Sequence, residues 1–277
     1  GWRHQFCGLE VLTYNGVTCY FIDNEYYFKR DGVYGYEDDG ERAAFFCKAV
    51  LECIPHLGDF QPDILHCNDW HTALIPVFLK AQYAWRGEYQ HLKTIFTIHN
   101  LRYQGISPRW SSPDLLGIND EDAGYLGLAD GDTINFMRGA LCCSDLLTTV
   151  SPTYAGEIQR EPLGMGMQGL LASRRGQLTG ILNGIDTADW NPSSDLHLPC
   201  GYSAKAPGDK KRCKQALQQE LGLEPAADAP LFGVISRLTY QKGLDWVLAV
   251  AEGIIHRGGQ LAILGSGDKA MERDFLA

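Results

Sequence analysis

Two cations, Arg237 and Lys242, stand five residues apart in the segment Ser236-Arg237-Leu238-Thr239-Tyr240-Gln241-Lys242-Gly243. A planar guanidinium forks onto one phosphate while a compact ammonium neutralises its neighbour, so the pair suits a diphosphate. Isolated cations at this spacing are more commonly solvated loop residues; here the flanking segments argue for a site. A second group is His66-Cys67-Asn68-Asp69-Trp70-His71, with Thr97-Ile98-His99-Asn100 further on. Asp69 is either the N-cap of a following helix or a carboxylate of a shared pocket with His99. His66, Asp69 and His71 are also metal-ligand types, but no second cluster accompanies them and no metal site is expected. Asn100 to Gly105 adds polar groups able to bond hydroxyls, and the Asn183-Gly184 turn offers an amide beside a crevice. Gly265-Ser266-Gly267-Asp268 resembles a phosphate-cradling turn, without the third glycine or the Lys-Ser/Thr of a P-loop.

The elements that must position these groups follow from periodicity. Pro230 to Ile235 reads as a buried strand and Leu244 to Ala251 repeats its apolar positions at helical spacing, so Arg237 and Lys242 occupy a strand-to-helix connection. In open parallel sheets ligands bind there, beyond the carboxyl ends of the strands. Residues 63–67, 94–98 and 146–150 predict strands, and 41–53, 72–84, 134–143 and 152–159 predict helices, the last capped by Ser151. Two β-rich runs around Asn15-Gly16 predict a hairpin over 10–23. Residues 101–132 lack clear periodicity, and 189–209 read as a linker rich in Pro, Ser, Gly and Asp. A second unit then repeats strand, helix and strand, the last at 260–264. This βαβα alternation predicts an α/β fold with parallel sheets.

Composition sets limits. A chain of 277 residues, 45% hydrophobic, supports one large or two modest domains. A net charge of −10 argues against nucleic acid as a partner. No apolar run reaches membrane-spanning length, so no membrane association is expected. The cysteines number nine, without a C-x-x-C pair, and read as free thiols of a reducing cytosol. The start at Gly1-Trp2-Arg3, without Met or signal peptide, and the stop at Ala277 inside a helical pattern read as cuts through a larger protein.

Five segments, 63–72, 97–105, 150–155, 182–186 and 236–243, occur in an order that closely resembles bacterial glycogen synthase and plant starch synthase, over essentially the whole chain. The resemblance implies two Rossmann-like domains facing across a cleft (the GT-B type), both incomplete here. Residues 1–188 would form the N-terminal catalytic domain without its first strand and Lys-Thr-Gly-Gly loop. Residues 189–277 would begin the C-terminal nucleotide-binding domain. It implies transfer of glucose from ADP-glucose to the non-reducing end of an α-1,4-glucan, with retention and without metal or cofactor, in the cytoplasm or, in a plant or alga, the plastid. The preference for ADP-glucose over UDP-glucose rests on the resemblance. By position, Arg237 and Lys242 look like the diphosphate clamp, with Gly265 also at the donor. His99 looks like the histidine beside donor glucose and Asp69 like the active-site carboxylate. Asn183, Asn100 and Tyr34 look like substrate contacts. Arg237 and Lys242 are expected to face the same opening as Asp69 and His99. The Glu-x-x-Gly-Leu segment of the family is also missing, so the chain alone is expected to be inactive or nearly so. A non-catalytic glucan binder of the same fold is the alternative, which a retained diphosphate clamp disfavours; sucrose synthase is a more distant comparison.

Overall fold

A hairpin opens the chain in the computed structural model, which describes residues 4–276. The terminal residues 1–3 and 277, on which the reading of two cuts partly rests, lie outside the described residues. Strands β1 (Gly8–Tyr14) and β2 (Val17–Asp23) pair antiparallel with Tyr14 opposite Val17. The two residues between them, Asn15 (φ 50°) and Gly16 (φ 78°), take the left-handed conformations that a tight hairpin turn demands. The chain divides into two compact units, Gly1–Asn183 and Gly184–Ala277.

In the first unit, β3 (Ile64–Asn68) and β4 (Lys93–Ile98) begin a parallel sheet. Strands β5 (Ile106–Pro108), β6 (Ala129–Asp130) and β7 (Thr133–Asn135) form a separate antiparallel sheet in the order β5-β7-β6. Strands β8 (Leu146–Thr149) and β9 (Leu178–Gly180) complete the main sheet, whose order is β3-β4-β8-β9, all parallel. Its four carboxyl ends therefore share one edge. Alternation along the strands turns Cys67, Phe96, Ile98 and Leu147 into a core shared with Leu51, Leu74, Val77, Phe78, Met137 and Leu141 of the helices. Each such side chain stabilises the unit by about 1.5–3 kcal/mol relative to exposure.

Several expected elements differ in detail. The helix over 72–84 is a 3₁₀ turn (Trp70–Thr72), an α-helix (Leu74–Phe78) and a π-turn (Leu79–Tyr83). In that π-turn Gln82 bonds both Lys48 and the Leu116 carbonyl while Tyr83 bonds Glu52, contacts that fix the widened turn. The helix over 134–143 starts at Phe136, because Asn135 is extended and its side chain caps the Arg138 amide. Residues 101–132, without periodicity, hold short strands and helices.

The second unit pairs β10 (Leu231–Ile235) with β11 (Gln260–Leu264) in parallel, joined by the helix Leu244–His256. Leu238, Leu244 and Met271 form its small buried core. The helix Lys210–Glu220 is tied to this sheet by Gln218, which is 1% exposed and donates to Gln260 Oε1 at 2.6 Å.

Candidate functional site

At the carboxyl end of β3 the backbone turns sharply at Asp69, whose φ of 57° and ψ of 178° lie in a region ordinarily open to glycine alone. Such a conformation costs on the order of 1–3 kcal/mol and persists only where surroundings impose it. Here the Asp69 amide donates to the Thr97 carbonyl at 3.0 Å, and the Asp69 carbonyl accepts from the Thr72 amide at 3.1 Å. The Asn68 amide donates to Thr72 Oγ1 at 2.6 Å, closing the turn from the other side.

That twist settles the role of the Asp69 side chain. It makes no cap to the following helix. Instead Oδ1 accepts the backbone N–H of His99 at 2.9 Å, across the β3–β4 strand ends. His99 Nε2 lies 3.0 Å from Asn68 Oδ1, and the Asn68 amide is oriented by its own Nδ2 donating to the His66 carbonyl at 3.4 Å. Facing an oxygen that only accepts, Nε2 carries the hydrogen, and in the neutral ring Nδ1 is left as an acceptor. Asn68 thus holds the ring while Asp69 holds its backbone. Sequence reasoning passed over Asn68, although alternation places it opposite the buried Cys67 and next to Asp69.

The His71 ring lies tilted against Trp70 with ring centroids 4.1 Å apart, and Tyr34 stands 6.4 Å from His71, which brings the segment around Tyr34 beside the β3 end. Burial holds the His71 imidazole below its usual range, against the carboxylates of Asp69 and Asp39, which pull upward. His66 does not join this group; its Nε2 bonds Thr97 Oγ1 at 2.6 Å along the sheet face. No three metal-binding side chains converge among the described residues. Asn100 uses its Oδ1 to accept the Arg102 amide at 3.0 Å. Gln104 is fully occupied, donating to the Leu101 and Met165 carbonyls and accepting from Asn135, so it orders the loop rather than offering groups to a ligand. Asn183 is exposed, three residues beyond β9 on the same sheet edge. A cavity of about 750 Å³ lies beside Trp70, lined also by Tyr103, Gly105, Trp110 and the acidic 37–41 segment. Gly105 (φ 67°) makes its wall possible, since a Cβ there would stand 2.5 Å from the Trp70 ring.

In the second unit the site loop is laced by backbone. The Ser236 amide donates to the Leu264 carbonyl at 3.1 Å, the Leu238 amide to Ser266 at 2.9 Å, and the Asp268 amide to Leu238 at 2.9 Å. The Gly265–Asp268 turn is therefore packed along the Arg237 segment. A Cβ at Gly265 would run into the Ser236 carbonyl oxygen, and one at Gly267 into that of Leu238. Between these fixed points Arg237 and, one short turn later, Lys242 are exposed, and neither side chain has a hydrogen bond, ion pair or ring contact among the described residues. Gly243 (φ 68°) ends that turn and starts the helix Leu244–His256. Two exposed cations thus stand on a backbone-bonded turn beside the N-terminus of the helix Leu244–His256.

The family model of the starch synthase catalytic domain matches residues 1–173. The chain belongs to the starch synthase catalytic domain family. Among its relatives, the glycogen synthases of Alkaliphilus metalliredigens and Desulforamulus reducens are 46% and 48% identical over 275 residues, 99% of this chain and 58% and 57% of theirs. That of Geobacillus stearothermophilus is 48% identical, covering 99% of this chain and 56% of its own length. The chain thus spans little more than half the length of these curated relatives. Its structure is similar to the catalytic domain of starch synthase IV from Arabidopsis thaliana bound to ADP and acarbose, with a TM-score of 0.86 and 34% identity over 98% of this chain and 56% of that one. The mixed α/β class with parallel sheets, expected from the sequence, is that of this starch synthase neighbour.

Proposed function

We propose that this chain serves glucosyl transfer from ADP-glucose to the non-reducing end of an α-1,4-glucan, with retention, in the cytoplasm or, in a plant or alga, the plastid. The observation that carries this reading is the unpartnered Arg237–Lys242 pair on its backbone-locked loop, in a chain of the starch synthase catalytic domain family. The two cations hold the donor diphosphate. Their charge counts most as the glucosyl–phosphate bond breaks and negative charge gathers on the departing nucleotide. Positive charge then spreads over the anomeric carbon and ring oxygen. Attack on the face the phosphate leaves, with that phosphate taking the acceptor proton, gives retention without a protein nucleophile. The ADP and acarbose bound to the Arabidopsis neighbour support a nucleotide donor and a glucan-like acceptor.

In the first unit His99 offers Nδ1 to a hydroxyl of donor glucose, Asp69 fixes the His99 backbone on the acceptor side, and Tyr34, Asn100 and Asn183 add sugar contacts. Gly265 acts by letting its turn approach the Arg237 loop. The test is calorimetric titration of ADP into the chain. Arg237→Ala is expected to weaken binding by about 10–100-fold, the loss of a charge-assisted fork. ADP affinity unchanged in both Arg237→Ala and Lys242→Ala would overturn the assignment.

A further inference from the structure

Between Gly180, the last residue of β9, and the short turn at Pro207, the chain forms no helix or ladder strand, only the isolated bridge Ser203–Ala206. So long an irregular stretch is ordered by local turns and side-chain bonds rather than by a helix or sheet. The Tyr202 amide donates to the Pro192 carbonyl at 3.0 Å, Ser193 Oγ donates to the Tyr202 carbonyl at 3.1 Å, and Lys210 sits over the Tyr202 ring. At its end stand two thiols. Cys200 Sγ lies 3.7 Å from Cys213 Sγ, Cys213 being on the first turn of the helix Lys210–Glu220. Cys213 Sγ also donates to the Cys200 carbonyl at 3.3 Å, so side chain and opposing backbone are already in contact.

We propose that Cys200 and Cys213 are a redox modification site, a dithiol that closes to a reversible disulfide on exposure to a small-molecule disulfide of the glutathione class. A disulfide bond is ~2.05 Å, so the two sulfurs, now in van der Waals contact, must approach further to close it. Both thiols are half-buried and within reach of solvent. Lys210, Lys211 and Arg212 directly precede Cys213 and attract an oxidant that carries carboxylates. A metal is the weaker ligand for this pair, since no third donor joins it among the described residues. The fold contains its own comparison. Cys7 and Cys53 are also close, but their sulfurs are farther apart, at 4.0 Å, and Cys53 is buried; desolvation raises the thiols of both Cys53 and Cys200, so separation and access rather than acidity set the two pairs apart.

The chemistry is thiol–disulfide exchange. One protein thiol loses its proton and attacks a sulfur of the oxidant, giving a mixed disulfide and releasing one small thiol. The second protein thiol loses its proton and attacks the protein sulfur of that mixed disulfide, expelling the second small thiol. The protein gives up two protons and two electrons, and the oxidant becomes two thiols. The product ties the irregular segment covalently to the helix that Gln218 anchors on β11.

The test treats the 277-residue chain with glutathione disulfide under native conditions, then alkylates in denaturant and maps peptides by mass spectrometry. The expected result is a Cys200–Cys213 cross-linked peptide as the earliest product, reversed by dithiothreitol. Cys200→Ser is expected to leave Cys213 as a glutathione adduct without a cross-link. In urea the preference for this pair should fall several-fold. Separate stable adducts at both positions of the native chain, earlier closure of Cys7–Cys53, no reaction, or the same preference in urea would each overturn the proposal.

Discussion

The two strand-end loops of this molecule are built in opposite ways. At Asp69 and His99 the side chains are engaged within the loop: the Asp69 carboxylate takes the His99 backbone N–H, the Asn68 amide takes the His99 ring nitrogen, and bonds to Thr97 and Thr72 hold the strained φ of Asp69. At Arg237 and Lys242 the backbone is laced to the Gly265 turn, and the cationic side chains are left without partners. In the first loop the polar side chains themselves take part in holding the fold; in the second the backbone does, and the charged side chains are left out of it. Substituting the polar groups of the first must disturb folding, whereas in the second the fold depends on its glycines.

The largest effect tests that separation. Gly265→Ala drives a Cβ into the Ser236 carbonyl, a backbone atom unable to move without breaking the ladder. Destabilisation of about 3 kcal/mol is expected in denaturant unfolding followed by a probe in the second unit, such as Trp246. Arg237→Ala should leave the same midpoint unchanged. A loss of stability in Arg237→Ala as large as in Gly265→Ala would erase the contrast.

Next in size is a pair of substitutions at Asp69. Asp69→Ala keeps a side chain in a conformation that disfavours one and also orphans the His99 N–H; Asp69→Gly relieves the strain but loses the same bond. The glycine variant is expected to be more stable than the alanine variant by roughly 2 kcal/mol in urea unfolding. Equal stabilities would mean that the turn is not strained.

A smaller change probes Asn68. Long-range proton–nitrogen NMR spectra of the His99 ring should show hydrogen on Nε2 in the native chain. Asn68→Ala should shift the neutral ring toward a mixture of tautomers, with a stability loss of about 1 kcal/mol. A ring already mixed in the native chain would remove Asn68 from its positioning role.

How much of this was legible in the sequence differs between the same two loops. The strand-to-helix placement of Arg237 and Lys242 follows from an apolar run and helical periodicity on either side, both local signals. The Asp69–His99 contact joins residues thirty positions apart, and only the β3–β4 register brings them together. A sequence pattern offers Asp69 as a helix cap because that is its commonest use before a helical run. The positive φ that redirects its side chain is held by the local turn bond from Thr72 and by Thr97, a tertiary partner without a periodic signature. The bonds of Gln104 within the 100–105 segment are hidden for the same reason, since its partners at Met165 and Asn135 lie far along the chain. Loss of periodicity over 101–132 was visible; the strands β5 and β6 inside it and β7 just beyond it, two or three residues each, are too short to leave a pattern.

The smallest effect is a pH dependence confined to the first loop. The His71 ring lies against Trp70, which takes part of it out of water although the residue as a whole is exposed, and Asp69, Asp39 and Arg42 act on it electrostatically while Tyr34 stands at its edge. Burial lowers its pKa in the folded state, the two carboxylates raise it, Arg42 lowers it, and the net direction is down. As pH falls through about 6.5, the unfolded chain therefore takes up this proton before the folded one does. The contribution of His71 to stability is complete above that pH, declines as pH falls toward the folded value, and is constant below it. His71→Gln cannot take the proton, so the stability difference between variant and native chain should be flat above about pH 7.5 and move in favour of the variant below about pH 6. Urea midpoints of both chains across that interval measure it. A drift in favour of the native chain on acidification would mean that Asp69 and Asp39 outweigh burial. The first loop would then attract positive charge in its own right, and the contrast with the cationic second loop would become one of sign as well as of construction.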